Sequence, residues 1–498
     1  MKRRLALFCG VLLAIAVVAV IAWRTQPAAS GPAAQAAGRT IAVTSVTRSC
    51  PPAPPGTGSA HVAMIAMSSQ TGSAAGGNAA AAGSALLSAI PVAAAGASAA
   101  EGATAAQPVT VSVPGTVTTV KVPGEAGASG AGGAAVAATG QMAEGFEAEQ
   151  VNSAGMGLVS CTHSGSDMWF VGTGASEGAP DIWLYLMNTG AIGASANVTI
   201  LTDTGQQNGL NNAITVAPHQ VVAENIAPFV RGSQALALHV QTSSGQVAAS
   251  VWEGDGTGKG AWLPQAAAPS TTLVIPGLTV ARSAARLFVT VPGSTDARLK
   301  VVAYTPAGAF PQFSTTPVDA SATATTPVTL SSLGASAAGL KLTSNVPIVA
   351  GVLVPGAGIG SFTTATTPVT EQGVVAGNPS GRGLTVGLLL TAPASAAQAS
   401  ITVVAAGAAG GAPASTAQTV TVLAGHTIAV AVTRPPGGEP FAIVLTPQAG
   451  SGPLYAVRVV TTGTGGLSAP AASLLPVTSA LTVITLPPVK SAYTAVLP

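Results

Sequence analysis

From about residue 39 onward the chain is a succession of short runs in which apolar and polar residues alternate, the period of half-buried strands. "RTIAVTSVTRSC" (39–50), "SAHVAMIAM" (59–67), "PVTVSVPGTVTTVKV" (108–122) and "EGFEAEQV" (144–151) predict strands of an N-terminal β-rich module, residues 39–158. Two Ala/Gly/Ser tracts, 71–107 and 124–140, interrupt it and read as mobile low-complexity segments. The strands of this module are candidates for completing a neighbour's sheet.

Beyond residue 159 the pattern repeats with a period of about 100 residues. "LALHVQTSSGQVAASVW" (236–252), "LKLTSNVPIVAGVLV" (340–354) and "FAIVLTPQAGSGPLYAVRVV" (441–460) each read as a hairpin. In the first, Leu236, Leu238 and Val240 share one face, and Val247, Ala249 and Val251 share another. Turn signals every 8–12 residues indicate sandwiches. The predicted fold is therefore all-β, with tandem immunoglobulin-like β-sandwich domains at 159–268, 269–368 and 374–465 and a C-terminal strand or tail at 466–498.

The one long apolar run stands at the other end. Lys2, Arg3 and Arg4 precede "LALFCGVLLAIAVVAVIAW" (5–23), whose helical length of about 30 Å matches a hydrocarbon core. The positive-inside rule then predicts a cytoplasmic tip and transmembrane anchor at 1–24, with the remainder extracytoplasmic. Residues 25–38 read as a linker off the bilayer. An uncleaved single-pass anchor in the cell membrane is the leading expectation, and a cleaved signal is the alternative.

Composition supports strands over helices: charged residues make up 7% of the 498, against about 25% in ordinary soluble proteins, and there are 60 Gly and 37 Pro. A net charge of +2 with no basic cluster outside residues 2–4 excludes a nucleic-acid footprint.

Few residues carry chemistry. Of three cysteines, Cys9 lies in the predicted span, leaving Cys50 and Cys161 as a pair in an oxidising compartment and hence a predicted disulfide. Closing a loop of about 110 residues would stabilise by up to ~4.7 kcal/mol and clamp the N-terminal module onto the first sandwich. With that thiol consumed, His163 and Asp167 are too few for a metal. His219 and His426 occupy matching turns of different repeats, and His239 points away from the Leu238 and Val240 face. "GASEG" (174–178) matches the pattern around a hydrolase nucleophile at Ser176, but without the strand, turn and helix that the motif needs. "GDGTGKG" (254–260) lacks the glycine spacing and the hydroxyl of a phosphate loop. No catalytic residue, metal or cofactor is expected.

Tryptophan is more informative, since Trp169, Trp183, Trp252 and Trp262 all fall in the first sandwich. They are read as core and junction fillers, or as a stacking surface on which Trp252, out of phase with the Val251 face, and Trp262 turn outward.

The anchor, the "SCPP" cysteine, "SCTHSGSDMWFVG" and the following "DIWLYLMNTG" and "NVTILTDTG" together resemble a family of uncharacterised actinobacterial membrane-anchored secreted proteins. The resemblance implies a β-rich envelope protein with a cysteine in each of those two places, and supplies no catalytic residue. It also implies an accessory role beside envelope glycosyltransferases. The expected function is a non-enzymatic, membrane-anchored scaffold or interaction protein of the cell envelope. The alternative is a glycan-binding or glycosyltransferase-accessory module, and the expected partner is an envelope protein or polysaccharide.

Overall fold

The computed structural model describes residues 39–54, 60–67, 81–93, 108–122, 132–152, 157–175, 181–208, 210, 213–279, 284–312, 317–330, 333, 337–356, 359–406, 415–436, 440–469 and 471–486. The predicted span at 5–23, the linker at 25–38 and Ser176 lie outside these residues. Among the described residues the chain is all-β, its strands joined by turns and short 3-10 segments, and no helix is long and apolar enough to cross a membrane.

The chain divides into two units, residues 1–41 with 483–498, and residues 42–482. In the first, the strand Arg39–Ala42 pairs with Val483–Leu486. The second holds four successive cores, each enclosed by facing sheets. The N-terminal core lies between Ser45–Cys50, Gly133–Thr139, Ala85–Ile90 and Val109–Val111 on one side, and Leu158–Ser160, Glu147–Asn152, Ala60–Ile65 and Thr118–Val122 on the other. Two of those strands come from the tracts read as mobile, which corrects that expectation. Alanine is a weak strand former, but Ala134, Val136 and Ala138 alternate into the core, and Gly133–Thr139 is paired on both sides. Packing on both edges overrides propensity there.

The next core is built by Met168, Phe170, Leu184, Ile200 and Leu238 among others, between the five-stranded sheets that contain Asp167–Thr173 and Asp181–Asn188. Two further cores follow, one around Leu287, Leu340 and Val352, the other around Leu388, Ile401 and Ile443.

The three predicted hairpins are corrected. Ala235–Ser244 pairs with Asp167–Thr173 and Ala194–Thr202, whereas Ala248–Gly254 pairs with Asp181–Asn188 and Gly260–Leu263 in the opposite sheet. Phe441–Pro447 and Tyr455–Thr462 are split between sheets in the same way. In the middle repeat one long strand, Ala337–Val354, serves both sheets. Each pattern is therefore an arch across a sandwich. The alternation does set the inward faces, but Leu236, Leu238, Val240, Val247, Ala249 and Val251 all line one core, meeting from opposite sides.

The N-terminal module also completes a neighbouring sheet, since Val92–Ala93 adds in parallel to Gln220–Asn225.

Candidate functional site

The segment Ser160–Gly174 runs through a junction, and its residues diverge. Cys161 is disulfide-bonded to Cys50, with both residues buried. Backbone hydrogen bonds between Ser49 and Thr162, 2.7 and 2.9 Å, continue the contact beside the bond. Beyond it the strand Asp167–Thr173 alternates. Met168 and Phe170 enter the first-sandwich core, whereas Trp169 and Val171 pack on the opposite face with Phe288 and Val349 of the next repeat.

That opposite face carries the one acid–imidazole contact among the described ion pairs. Trp169 is the register partner of His239, and the two rings stack at 3.8 Å between centroids, 13° from parallel. His239 Nε2 lies 3.0 Å from Asp167 Oδ1, with Asp167 about half exposed. Burial against the indole holds the imidazole below its ordinary pKa, and the Asp167 carboxylate opposes that shift. A neutral ring donating Nε2–H to the carboxylate is the form this favours. His163 is exposed elsewhere, near Arg48 and Glu147, so His163 and Asp167 are not brought together. Among the described residues, no three His, Cys, Asp or Glu side chains gather as metal ligands.

The stacking surface expected at Trp252 and Trp262 is corrected. Trp252 does point away from the Val247, Ala249 and Val251 core, as its phase predicts, but that face is covered. Ile90 and Val159, the latter on the strand Leu158–Ser160 that the structure places in the N-terminal module's sheet, pack over Tyr185, Val221, Trp252 and Trp262. The two indoles are 3% and 6% exposed and meet edge-on at 5.2 Å. They fill a junction and offer no outward face.

The turns behave as turns. His219 holds a positive φ of 54° before the strand Gln220–Asn225, and His426 Nδ1 lies 2.8 Å from the Ala424 carbonyl. In "GDGTGKG", Asp255 Oδ1 accepts the Thr257 N–H, the Thr257 hydroxyl and the Lys259 N–H, at 2.8, 2.7 and 3.2 Å. The carboxylate closes a loop between two strands and turns its acceptor capacity onto its own backbone.

Three sets of charged residues were not foreseen. Glu253 is fully buried, accepting the Thr173 N–H at 3.0 Å and the Thr173 hydroxyl at 2.5 Å. Desolvation raises its carboxyl to about 8, against the opposing Thr173 hydrogen bonds. Gly172 makes room for it, because a Cβ there would run into Glu253 Oε1. The second set is a buried ion pair, Arg458 Nη2 to Glu149 Oε1 at 2.9 Å. Glu149 Oε2 also accepts the Gly377 N–H at 2.9 Å. Burial pushes the Glu149 carboxyl up and the Arg458 guanidinium down from their ordinary values, and each charge opposes the other's shift. The third is a groove of about 390 Å³ lined by Arg382, Arg434, Leu384, Thr385, Val386 and Val432. The phase of Glu253 with Val251, and of Arg458 with Ala456 and Val460, was the available signal for the first two. Nothing in the sequence brings Arg382 and Arg434 together.

No curated protein and no solved structure matches the chain. Residues 128–433, more than half of it, match the family of unknown function DUF5719, and the chain belongs to that family.

Proposed function

We propose that the protein is a non-enzymatic extracytoplasmic scaffold, anchored in the cell membrane by residues 5–23 and presenting immunoglobulin-like sandwiches to an envelope partner. The observation that carries this reading is how one short stretch is used. Between Glu147 and Cys161 the N-terminal module closes its own core with the disulfide to Cys50, and it reaches its neighbours through a buried ion pair to Arg458 of the last repeat and the Val159 cover over the first repeat's tryptophans. Such fusing suits a spacer that must hold its shape. A disulfide also suits an oxidising, exported location.

The test is complementation of a deletion strain by the double variant Asp167→Ala/His239→Ala, which removes the partly exposed acid–imidazole pair. The scaffold reading expects the variant to complement as fully as the wild-type gene. A folded, correctly localised variant that fails to rescue would contradict it and point to acid–base chemistry at that pair.

A further inference from the structure

The groove at the end of the third repeat is unusual in a chain with so little charge. It opens beside the loop that leads into Leu384–Ala392, and Val432, just after His426–Ala431, donates its N–H to the Val386 carbonyl at 3.0 Å. Arg434 Nη1 donates to the carbonyls of Ser380 and Gly381, which straps the loop bearing Arg382 onto Arg434. A guanidinium has five N–H donors, and the bonds to described residues use only Nη1. Among the described residues nothing takes up Nε or Nη2 of Arg434. Arg382 is exposed and makes no hydrogen bond or ion pair with any described residue. Among the described residues, no carboxylate lines the groove.

We propose that this groove is a binding site for a small organic anion, one carboxylate or phosphate group held between Arg382 and Arg434. Two guanidinium forks offer the planar, bidentate donor geometry that both oxyanions accept. Leu384, Val386 and Val432 supply an apolar wall for the body of the ligand, and Thr385 a hydroxyl. The volume suits a ligand of about one or two sugar rings. Both arginines are exposed, so the attraction is screened and binding is salt-sensitive. This site goes beyond the scaffold reading and does not depend on it.

The experiment is calorimetric titration of the detergent-solubilised full chain with glucuronate, glucose 1-phosphate and neutral glucose, at about 20 mM and about 300 mM salt. Saturable binding of one or both anions, weakened at high salt and absent for glucose, is the expected result, and the anion preferred identifies the group taken. Arg382→Ala, at an exposed position, should weaken binding about tenfold or more with an unchanged melting temperature. Absence of binding by both anions, equal binding of glucose, or undiminished binding by folded Arg382→Ala would overturn the proposal.

Discussion

Arg458 and Glu149, 309 residues apart in sequence, lie 2.9 Å from each other with side chains 0% and 2% exposed. Arg458 stands in Tyr455–Thr462 between Leu388 and Leu475 of the flanking strands, on the face whose neighbours Ala456 and Val460 line the third-repeat core. Glu149 reaches it from the N-terminal module. Gly377 lies at a register shift in Gly373–Asn378, and a Cβ there would stand 2.7 Å from Val151 Cγ2. The missing side chain lets two backbones approach closely enough for the pair to form.

Removing one partner leaves a buried charge uncompensated. Arg458→Met or Glu149→Gln should each lower stability by about 3–5 kcal/mol, read as a shift of the urea midpoint. Arg458 Nε and Nη1 have no hydrogen-bond partner among the described residues, so the pair is far from ideal. The double variant Arg458→Met/Glu149→Gln should therefore recover most of the loss. Strictly additive losses in the cycle would show that the two residues do not act together.

Glu253 predicts a pH dependence of definite sign. Its folded pKa, about 8, lies above the ordinary 4.5, so its contribution is fully present below pH 4.5 and is lost as pH rises through 8. Within that window stability should fall by up to about 1.4 kcal/mol per pH unit from this group. Glu253→Gln keeps a carbonyl for the Thr173 N–H and offers a donor to its hydroxyl. It should flatten the profile and stabilise the protein at pH 8. An unchanged slope in melting temperature against pH would contradict the assignment.

Cys50→Ser/Cys161→Ser should cost about 2–5 kcal/mol. In protein alkylated before any reductant is added, peptide mapping should recover the two cysteines joined. Recovery of both as alkylated thiols would refute the linkage.

Trp252→Ala should destabilise by about 3–5 kcal/mol, because it opens a cavity between Tyr185, Trp262 and the cover from the N-terminal module. A folded Trp252→Ala with wild-type stability would mean that the indole is not buried there.

Alternation made the strands and their inward faces legible, because a period of two is a property of the local chain. The partner sheet was not legible: Leu238 and Val251 look alike whether their strands are paired or face each other across a core. For the same reason Trp252 was in the expected phase and the wrong environment, since its cover comes from Ile90 and Val159, far off in sequence. Arg458 and Glu253 stood out as charges on apolar faces, but what neutralises or protonates them is set by tertiary contacts. Cys50 and Cys161 were readable because the chain has only three cysteines and so few pairings to choose from.

The central claim is that the N-terminal module and the last repeat are locked together through Glu149. Native-state hydrogen exchange in increasing urea tests it most directly, by following the strands Glu147–Asn152 and Tyr455–Thr462. They should lose protection together, at one urea concentration, and Arg458→Met should lower that concentration for both. Exchange of Tyr455–Thr462 well before Glu147–Asn152, unaffected by the substitution, would contradict the account.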